Sequence, residues 1–393
     1  MATEFANLPG VKINEVQLGS PPISGVSTSR AGFVGNTPRN AFPNEARLVT
    51  SADQFIADYV KDLKNDANSA RASTAFSHAV LGFFQNGGGA CYIVNVPSTT
   101  ATPAASDVTE ALKLLEKRDD IQIVAAPGSI DATVYSALIA QAEKLGDRFA
   151  ILDSPPKVGA YTELLPPAGS KRPTSDSQFA AFYYPRIQVP PQLPDDPKDT
   201  PIWVAPTGHV AGVYARVDAN RGVHKAPANE RILGALGVED LVKDADQDVL
   251  NNDGIDVIRR FVEGTVIWGA RTLTAASAPD KTFRYLNVRR LTTFIEQSLR
   301  QGLRFAVFEP NNLALRKTIT RSVRGFLDGV WRDGALFGAT ADEAYYVRFP
   351  DSFNTDDDRQ KGRLVVEIGI RVSYPVEFLI IRIGLLSQSA SSA

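Results

Sequence analysis

Short apolar runs alternate with amphipathic segments between residues 107 and 184. The runs IQIVAAPG, FAILDS and FAAFYYP follow segments of helical character such as TEALKLLEKR and DATVYSALIAQAEKLG. Apolar strands of this kind need burial on both faces, and parallel strands joined by crossover helices supply it. The pattern therefore predicts an α/β domain with a mainly parallel sheet flanked by helices. The proline-rich stretch 154–206 interrupts the pattern and is expected to form a long surface excursion.

A different pattern begins near residue 280. Amphipathic helices mixed with short strands predict an α+β C-terminal domain. The predicted elements are helices over Tyr285–Arg300 and Leu313–Trp331 and strands over Leu303–Phe308, Ala344–Phe349, Arg363–Val372 and Val376–Ile383. We therefore divide the chain into an N-terminal arm (1–22), a central domain (23–279), a C-terminal domain (280–374) and a C-terminal strand arm with a flexible tail (375–393).

Composition and charge exclude several classes of protein. At 393 residues with 44% apolar and 22% charged side chains, the chain has the make-up of an ordinary soluble globular protein. Its single cysteine, Cys91, excludes an internal disulfide. The start MATEFANLPG lacks the basic and apolar regions of a secretory signal, and no apolar run approaches the roughly 18 residues of a membrane span.

The charges are unevenly distributed along the chain although the net charge is only −2. Residues 239–256 carry seven acids against one lysine, whereas residues 281–332 carry eleven bases against three acids. Such a split predicts two faces with different partners.

Two glycine-containing motifs fail the chemical requirements of ligand sites. NGGGA (Asn86–Ala90) is not followed by the lysine and hydroxyl of a phosphate-binding loop, so it is predicted to be a tight turn between a helix and a strand. In DQDVLNNDG, aligning Gly254 with the sixth position of a calcium loop places Val249 where the first carboxylate ligand must stand. We interpret the acidic segment as a solvated loop, with a cation site or an electrostatic contact as alternatives.

The three histidines follow no catalytic or metal-binding pattern. His209 and His224 lie in the block GHVAGVYARVDANRGVHKAPAN, and His78 lies far upstream. No G-x-S-x-G elbow supplies a nucleophile, and no H-x-x-x-H or C-x-x-C spacing supplies metal ligands. We therefore predict structural histidines, no catalytic, metal or cofactor-binding residue, and no enzyme activity.

The segment Leu313–Trp331 is predicted to be an amphipathic helix with one basic face. Lys317, Arg321 and Arg324 recur at three- and four-residue steps opposite the apolar positions. Such a face is either a solvated surface or a contact for an acidic protein. Nucleic acid is disfavoured because aromatic residues are not interleaved with the bases. The apolar positions are Leu315, Ile319, Val323, Phe326 and Val330.

Two strand-like segments near the ends of the sequence have no evident partner. The first is isolated by Pro9-Gly10 and by the turn residues after Gly19, and the second is apolar on both faces. The second is either a central strand of the chain's own sheet or a strand that completes a sheet in a neighbouring subunit. We favour strand exchange, since an exposed apolar edge strand would aggregate. The residues concerned are Val11, Ile13 and Val16 in the first segment and Phe378, Leu379, Ile380 and Ile381 in the second.

Several phrases, taken in order, resemble contractile tail sheath proteins of phages and related injection particles from Pro9 to roughly Ile383. The order and the sequences of these segments are specific when taken together, whereas a single segment such as NGGGA does not identify a family. Residues 154–206 and the tail SQSASSA are not diagnostic. The phrases are PGVKINEV, PISGVSTSRAGFVG, GFFQNGGGACYIVNV, GHVAGVYARVDANRGVHKAPAN, GIDVIRRF with WGARTL, YLNVRRLTTFIEQSLRQGLRFAVFEPN, GFLDGVWRDGALFGAT and GRLVVEIGIRVSYPVEFLIIRI.

The resemblance implies a subtilisin-like central domain without protease activity, a C-terminal domain that faces an inner tube, and terminal arms that add strands to the sheets of neighbouring subunits. It also implies a homo-oligomeric sheath, built of stacked rings or a helix, that contracts from a metastable extended state and drives the tube through a target envelope. Lys317, Arg321 and Arg324 are then expected to bind the tube.

The partners that the resemblance implies are the inner tube, baseplate and terminator proteins, with no cofactor and no direct contact to nucleic acid. The target membrane is reached only indirectly, and the particle is expected to assemble in the bacterial cytoplasm as part of a phage virion or phage-tail-like particle. A static tail or baseplate protein is the first alternative. A subtilisin-like hydrolase is the more remote one.

Overall fold

The computed structural model describes residues 22–39, 41–61, 75–98, 102–165, 171–173, 175–193, 196–274 and 278–377. Within these ranges, no helix combines the length and the apolar character that a membrane crossing requires. The predicted strand Val11–Val16 lies outside them, and of the predicted strand Val376–Ile383 only the first two residues are described.

Strands and helices alternate along most of the described chain. The strands are β1 (Ala31–Gly35), β2 (Ala46–Val49), β3 (Cys91–Asn95), β4 (Ile123–Ala125), β5 (Phe149–Asp153), β6 (Ala180–Tyr184), β7 (Ile187–Val189), β8 (Ile202–Val204), β9 (Glu230–Arg231), β10 (Gly237–Val238), β11 (Ile255–Phe261), β12 (Gly264–Ile267), β13 (Tyr345–Arg348) and β14 (Glu367–Ile370). The helices are α1 (Ala52–Tyr59), α2 (Ala75–Gln85), α3 (Ala105–Glu116), α4 (Ala132–Leu145), α5 (Thr207–Arg221), α6 (Asp244–Asn252), α7 (Leu286–Gly302), α8 (Leu313–Arg332), α9 (Ala341–Ala344) and α10 (Asp356–Gln360).

A nine-stranded sheet, counted over the described residues, forms the centre of the protein in the order β2-β3-β1-β4-β5-β6-β11-β12-β9. The strands from β3 to β11 in this order pair in parallel. The outer strands β2, β12 and β9 pair antiparallel to their neighbours. The predicted mainly parallel α/β sheet is confirmed, and its antiparallel ends are an addition to the sequence-based expectation.

Each face of this sheet carries its own apolar core. The first core lies under α1, α2 and α5, and the second lies under α3, α4 and α6. Neighbouring residues of β1 point into different cores, Phe33 into the first and Val34 into the second. This is the side-chain alternation that a strand buried on both faces requires.

The proline-rich segment 154–206 is less peripheral than its composition predicts. It contains β6, an interior strand of the large sheet, and also β7 and β8, which form a small antiparallel sheet with β10. Ile187 and Val189 are buried in the first core. The expected surface excursion is therefore wrong for β7 and β8, whereas β6 is the strand that the run FAAFYYP predicted. Prolines such as Pro185 and Pro190 flank the short strand β7, where they cost no ladder hydrogen bond.

The C-terminal domain is built on α7 and α8, against which the antiparallel pair β13–β14 packs. The segment before β1 also lies on this domain. Ile23 is so close to α7 that a Cβ atom at Gly302 would lie 2.6 Å from it, and the backbone N–H of Val26 donates to Ser298 Oγ at 3.1 Å. The chain thus passes from the C-terminal domain into the central sheet at β1.

The predicted strand over Leu303–Phe308 is wrong. Helix α7 runs to Gly302, and Arg304–Ala306 then form a 3-10 turn in which the N–H of Ala306 donates to the carbonyl of Leu303 at 3.0 Å. A short apolar run forms a strand only where another strand offers free backbone groups. Among the described strands, β13 and β14 pair with each other and none pairs with this segment.

The acidic segment 239–256 is not a solvated loop throughout. Its middle part forms α6, with Asp244 and Asp246 in the first turn, where the free N–H groups and the helix dipole favour carboxylates. Asp256 lies on β11 and is fully buried. In the described part of the chain, no group of three or more His, Cys, Asp or Glu side chains is arranged to hold a metal ion.

Candidate functional site

The residues that the sequence analysis assigned to the strand arms all lie outside the described ranges. The structure instead describes a surface that extra strands could join. Within the described chain, β13 and β14 pair side by side only with each other, so each leaves one edge open to a further strand. The arm residues are Val11, Ile13 and Val16 and Phe378, Leu379, Ile380 and Ile381.

Helix α8 forms as predicted, and its local sequence explains where it begins. Asn312 is the N-cap residue, and its side chain accepts a hydrogen bond from the N–H of Leu315 at 2.9 Å. The predicted apolar positions Ile319, Val323 and Val330 are buried, and Leu327 is buried beside them. The packing of this stripe fixes the rotation of the helix and therefore which side faces outward. The other predicted apolar positions, Leu315 and Phe326, are half-buried against the same core.

Lys317, Arg321 and Arg324 all lie on the exposed side of α8. Arg324 forms an exposed ion pair with Asp342 at 2.8 Å, which contributes little to stability. Lys317 and Arg321 form no ion pair with any described residue. The structure thus groups the three predicted residues on one open surface, and their binding role stays a prediction.

A buried ion pair joins the two domains. Arg290 of α7 donates from Nη1 and Nη2 to the carboxylate of Asp218 on α5, at 3.0 and 2.6 Å. The same guanidinium donates to the carbonyl of Thr28 at 2.9 Å and stacks 4.7 Å from the ring centre of Tyr214. Burial lowers the pKa of Arg290, but Asp218 outweighs this effect and the net shift is upward. Asp218, which the sequence places between two histidines, therefore serves the domain junction.

The ion pair borders a buried polar cluster under the central sheet. The hydroxyls of Tyr183 and Tyr214 are 2.7 Å apart, and Asp256 lies beside them on β11. Asp256 accepts the N–H of Arg271 at 2.8 Å through Oδ1. Burial raises the pKa of Asp256 to about 8, because this single backbone donor does not offset the loss of solvent around the charge.

A second ion pair, with Arg271 buried and Glu377 part-buried, holds the last described residue. Arg271 donates from Nε and Nη2 to the two carboxylate oxygens of Glu377, at 3.0 and 2.7 Å. Asn251 and Tyr285 donate to the same carboxylate at 2.8 and 3.1 Å. Burial raises the pKa of Glu377, but these donors stabilise the charge and the net shift is downward. The root of the predicted C-terminal arm is therefore fixed to the central domain.

The histidines do not form an accessible catalytic group. His78 is buried and its Nε2 lies 3.2 Å from Asp196 Oδ1, while burial lowers its pKa. His209 is fully buried, and neither ring nitrogen has a hydrogen-bond partner among the described residues. Burial lowers the pKa of His209 to about 3. His224 is half-buried, with its pKa also lowered by burial.

Two glycines explain why α5, the helix that contains His209, packs so closely against α2. A Cβ atom at Gly208 would lie 2.0 Å from the carbonyl oxygen of Ala79, and one at Gly212 would lie 2.4 Å from that of Phe83. Helices α2 and α5 therefore pack with almost touching backbones. The spacing Gly208-x-x-x-Gly212 places both glycines on one helix face, which is the signal that the sequence analysis missed.

The sequence patterns did not predict the ion pairs Arg290–Asp218 and Arg271–Glu377, although the position of Arg290 gives a sign of the first. Leu286, Arg290 and Phe294 are spaced four residues apart and therefore lie on one face of α7. Arg290 occupies a position on this face where an apolar side chain is expected. A charge on the apolar stripe of a helix indicates a buried partner. Nothing in the local sequence identifies that partner as Asp218, because only the fold brings α5 and α7 together.

Two family models match this chain in sequence. The model described as the phage tail sheath protein central domain matches residues 101–273, and the model described as the phage tail sheath C-terminal domain matches residues 278–385. The chain belongs to the phage tail sheath family. The tail sheath protein of Burkholderia phage BcepMu is 29% identical over 231 residues, which are 56% of this chain and 46% of that relative. This sheath family member thus matches less than half the length of that phage protein.

Solved structures of contracted sheaths are similar to this sheath family member over nearly its whole length. The sheath complex of the extracellular contractile injection system PVC matches with a TM-score of 0.75 and 26% identity, covering 99% of both chains. The helical sheath of the anti-feeding prophage, also contracted, matches with a TM-score of 0.75 and 28% identity, covering 96% of this chain and 99% of the other. These neighbours are structural sheath proteins, and this chain shares their fold.

Proposed function

We propose that this chain is the subunit of a contractile sheath that surrounds an inner tube and drives it through a target cell envelope. The observation that carries the proposal is the likeness to two contracted sheaths over almost the entire chain. In this proposal the sheath assembles in the bacterial cytoplasm, as stacked rings or a helix, and contacts the inner tube, a baseplate and a terminator protein. The central domain adopts its subtilisin-like topology as an inert scaffold.

The terminal arms link subunits by strand addition. The open edges of β13 and β14 support this part of the proposal, because an edge strand offers unpaired N–H and C=O groups to an incoming strand. Each backbone hydrogen bond so formed stabilises the link by about 0.5–1.5 kcal/mol net. The incoming strands are the segments around Val11–Val16 and Phe378–Ile381, whose alternating or fully apolar patterns suit a shared sheet.

Deleting the arms tests this link. Removal of residues 1–20, or of the chain after Glu377, should convert polymer into dispersed subunits that remain folded. The second truncation keeps the Arg271–Glu377 pair, so that the body of the C-terminal domain is not disturbed. Full-length sheaths seen by electron microscopy of either variant would contradict strand exchange.

The basic side of α8 holds the extended sheath on an acidic tube surface. Lys317, Arg321 and Arg324 are exposed together, while the opposite side of the helix is buried. Each contact between exposed charges is individually weak, so attachment of this kind can be broken when the sheath contracts. No nucleotide is required if assembly on the tube traps an arrangement less stable than the contracted one.

Charge reversal tests the basic surface. Changing all three residues to Glu should abolish ordered assembly on tubes and leave the circular dichroism of the monomer unchanged. Lys117→Glu, which reverses one exposed charge on the central domain, is the control for charge reversal away from this surface. Normal extended particles from the triple variant would refute the tube-binding role.

A static baseplate component is the second candidate, because a chain of the anti-feeding prophage baseplate structure also matches, with a TM-score of 0.74 and 29% identity. Particle length separates the two functions. A contractile sheath shortens and widens when the particle is triggered by denaturant or membrane, whereas a static component keeps its length.

A further inference from the structure

Phe308 is presented to solvent in a strained conformation. Its side chain is 103% exposed, and its backbone φ of 69° lies in the left-handed region that non-glycine residues rarely adopt. An aromatic side chain in water and a strained backbone both raise the free energy of the isolated subunit. Strained backbone conformations cluster at functional sites, so this combination marks Phe308 as a candidate contact residue.

Other exposed apolar side chains lie close to Phe308 in sequence, before and at the start of α8. Val307 precedes Phe308 and is 62% exposed, and Leu313, the first residue of the helix, is 67% exposed. Asn311 donates from Nδ2 to the carbonyl of Arg363 at 3.2 Å, which brings the segment containing the exposed Val365 to the same end of the domain. The apolar character is therefore shared by two chain segments that meet there.

The apolar end is continuous with the basic side of α8. Leu313, Lys317, Arg321 and Arg324 follow one another at steps of four, four and three residues, which aligns them on one side of a helix. All four are exposed. A partner that covers this stripe reaches the apolar end as well, and the charges require that partner to be acidic.

We propose that Phe308, with Val307 and Leu313, inserts into an apolar recess on the acidic surface of the inner tube. This inference rests on the proposed function and specifies its partner surface, namely an acidic stripe that ends in an apolar socket. A second copy of the same surface is a poor occupant, because two basic stripes would repel each other. Buried aromatic side chains commonly dominate the binding energy of an interface, while exposed charges set its salt dependence.

The test compares two kinds of variant in binding to preassembled inner tubes of the same particle across a range of salt concentrations. Phe308→Ser should weaken binding at least about tenfold at every salt concentration and leave the slope of affinity against salt unchanged. The double variant K317E/R321E should also weaken binding but should flatten that slope. Val262→Ser, at a fully exposed apolar residue between β11 and β12, is the matched control and should bind like the original chain.

A stability measurement separates a binding role from a structural one. Phe308→Gly relieves the left-handed strain, so its thermal midpoint should equal or exceed that of the original chain while its tube binding is lost. A lowered midpoint together with lost binding would make Phe308 a structural residue and overturn the inference.

The remaining outcomes distinguish the inference from the proposed function. Normal tube binding by Phe308→Ser would overturn the inference that Phe308 enters an apolar socket, without contradicting tube binding by the basic side of α8. Normal binding by K317E/R321E overturns the tube-binding function itself. Loss of tube-free self-assembly by Phe308→Ser would assign the aromatic side chain to a second copy of the chain, which also overturns the inference.

Discussion

Arg290 and Asp218 form a buried ion pair of two hydrogen bonds, 3.0 and 2.6 Å long, between α7 of the C-terminal domain and α5 of the central domain. Both side chains are almost fully buried. A buried pair of this geometry specifies one relative placement of its two helices, since any other placement leaves a charge without a partner in an apolar environment. The pair thus holds α5 and α7 in one relative placement.

Arg290→Met should destabilise the chain by about 3–5 kcal/mol, because it leaves Asp218 buried and unpaired. Arg324→Met breaks the exposed pair with Asp342 and should change the free energy of unfolding by no more than about 1 kcal/mol. Urea denaturation measures both. Combining Arg290→Met with Asp218→Leu should recover much of the lost stability. Equal destabilisation by Arg290→Met and Arg324→Met would contradict the importance assigned to burial.

Gly212→Ala should destabilise the chain by about 1–3 kcal/mol, since the new methyl group would lie 2.4 Å from the carbonyl oxygen of Phe83 and α2 and α5 would have to separate. Gly325→Ala is the matched control. No heavy atom lies within 4 Å of its added Cβ, so alanine should stabilise α8 by about 0.5–1 kcal/mol. Thermal unfolding of both variants measures the difference, and two shifts of the same sign would speak against the close helix contact.

Glu377→Gln should destabilise the chain by about 1–3 kcal/mol, because it removes the charge that Arg271 meets with two hydrogen bonds. Hydrogen exchange in residues 371–377 should accelerate at the same time as sheath assembly slows. Glu163→Gln, which breaks an exposed pair with Lys171, serves as the control. Unchanged exchange in the variant would show that other contacts hold the root of the arm.

Asp256 should make stability fall as the pH rises from about 4 to about 8. The folded state keeps a proton on this carboxyl up to a pKa of about 8, whereas the unfolded state releases it near the ordinary value of 3.8. The folded chain therefore binds more protons across this window, and its stability from this group falls by up to about 1.4 kcal/mol per pH unit. Asp256→Asn mimics the protonated acid and should flatten this dependence in urea denaturation at pH 5 and pH 8. Asp119→Asn, on the surface, should leave it unchanged, and parallel curves for Asp256→Asn would disprove the assignment.

The sequence by itself determined the elements whose periodicity is strong. Apolar runs such as FAILDS became strands buried on both faces, and the three- and four-residue spacing of Ile319 and Val323 became the packed side of α8, which leaves Lys317 and Arg321 outside. In these cases the local pattern and the burial in the fold demand the same conformation. The order of the phrases along the chain also identified the family that the later comparisons confirmed.

Only the tertiary structure decided the features that depend on residues far apart in sequence. The run Leu303–Phe308 is mostly apolar like a buried strand, yet it turns because no described strand pairs with it. Asp218 and Arg290 are separated by 72 positions, and Arg271 and Glu377 by 106. A carboxylate and a guanidinium at such separations carry no local sign of one another. Their pairing follows from the packing of α5, α7 and the central sheet, which brings the charges together where water is excluded.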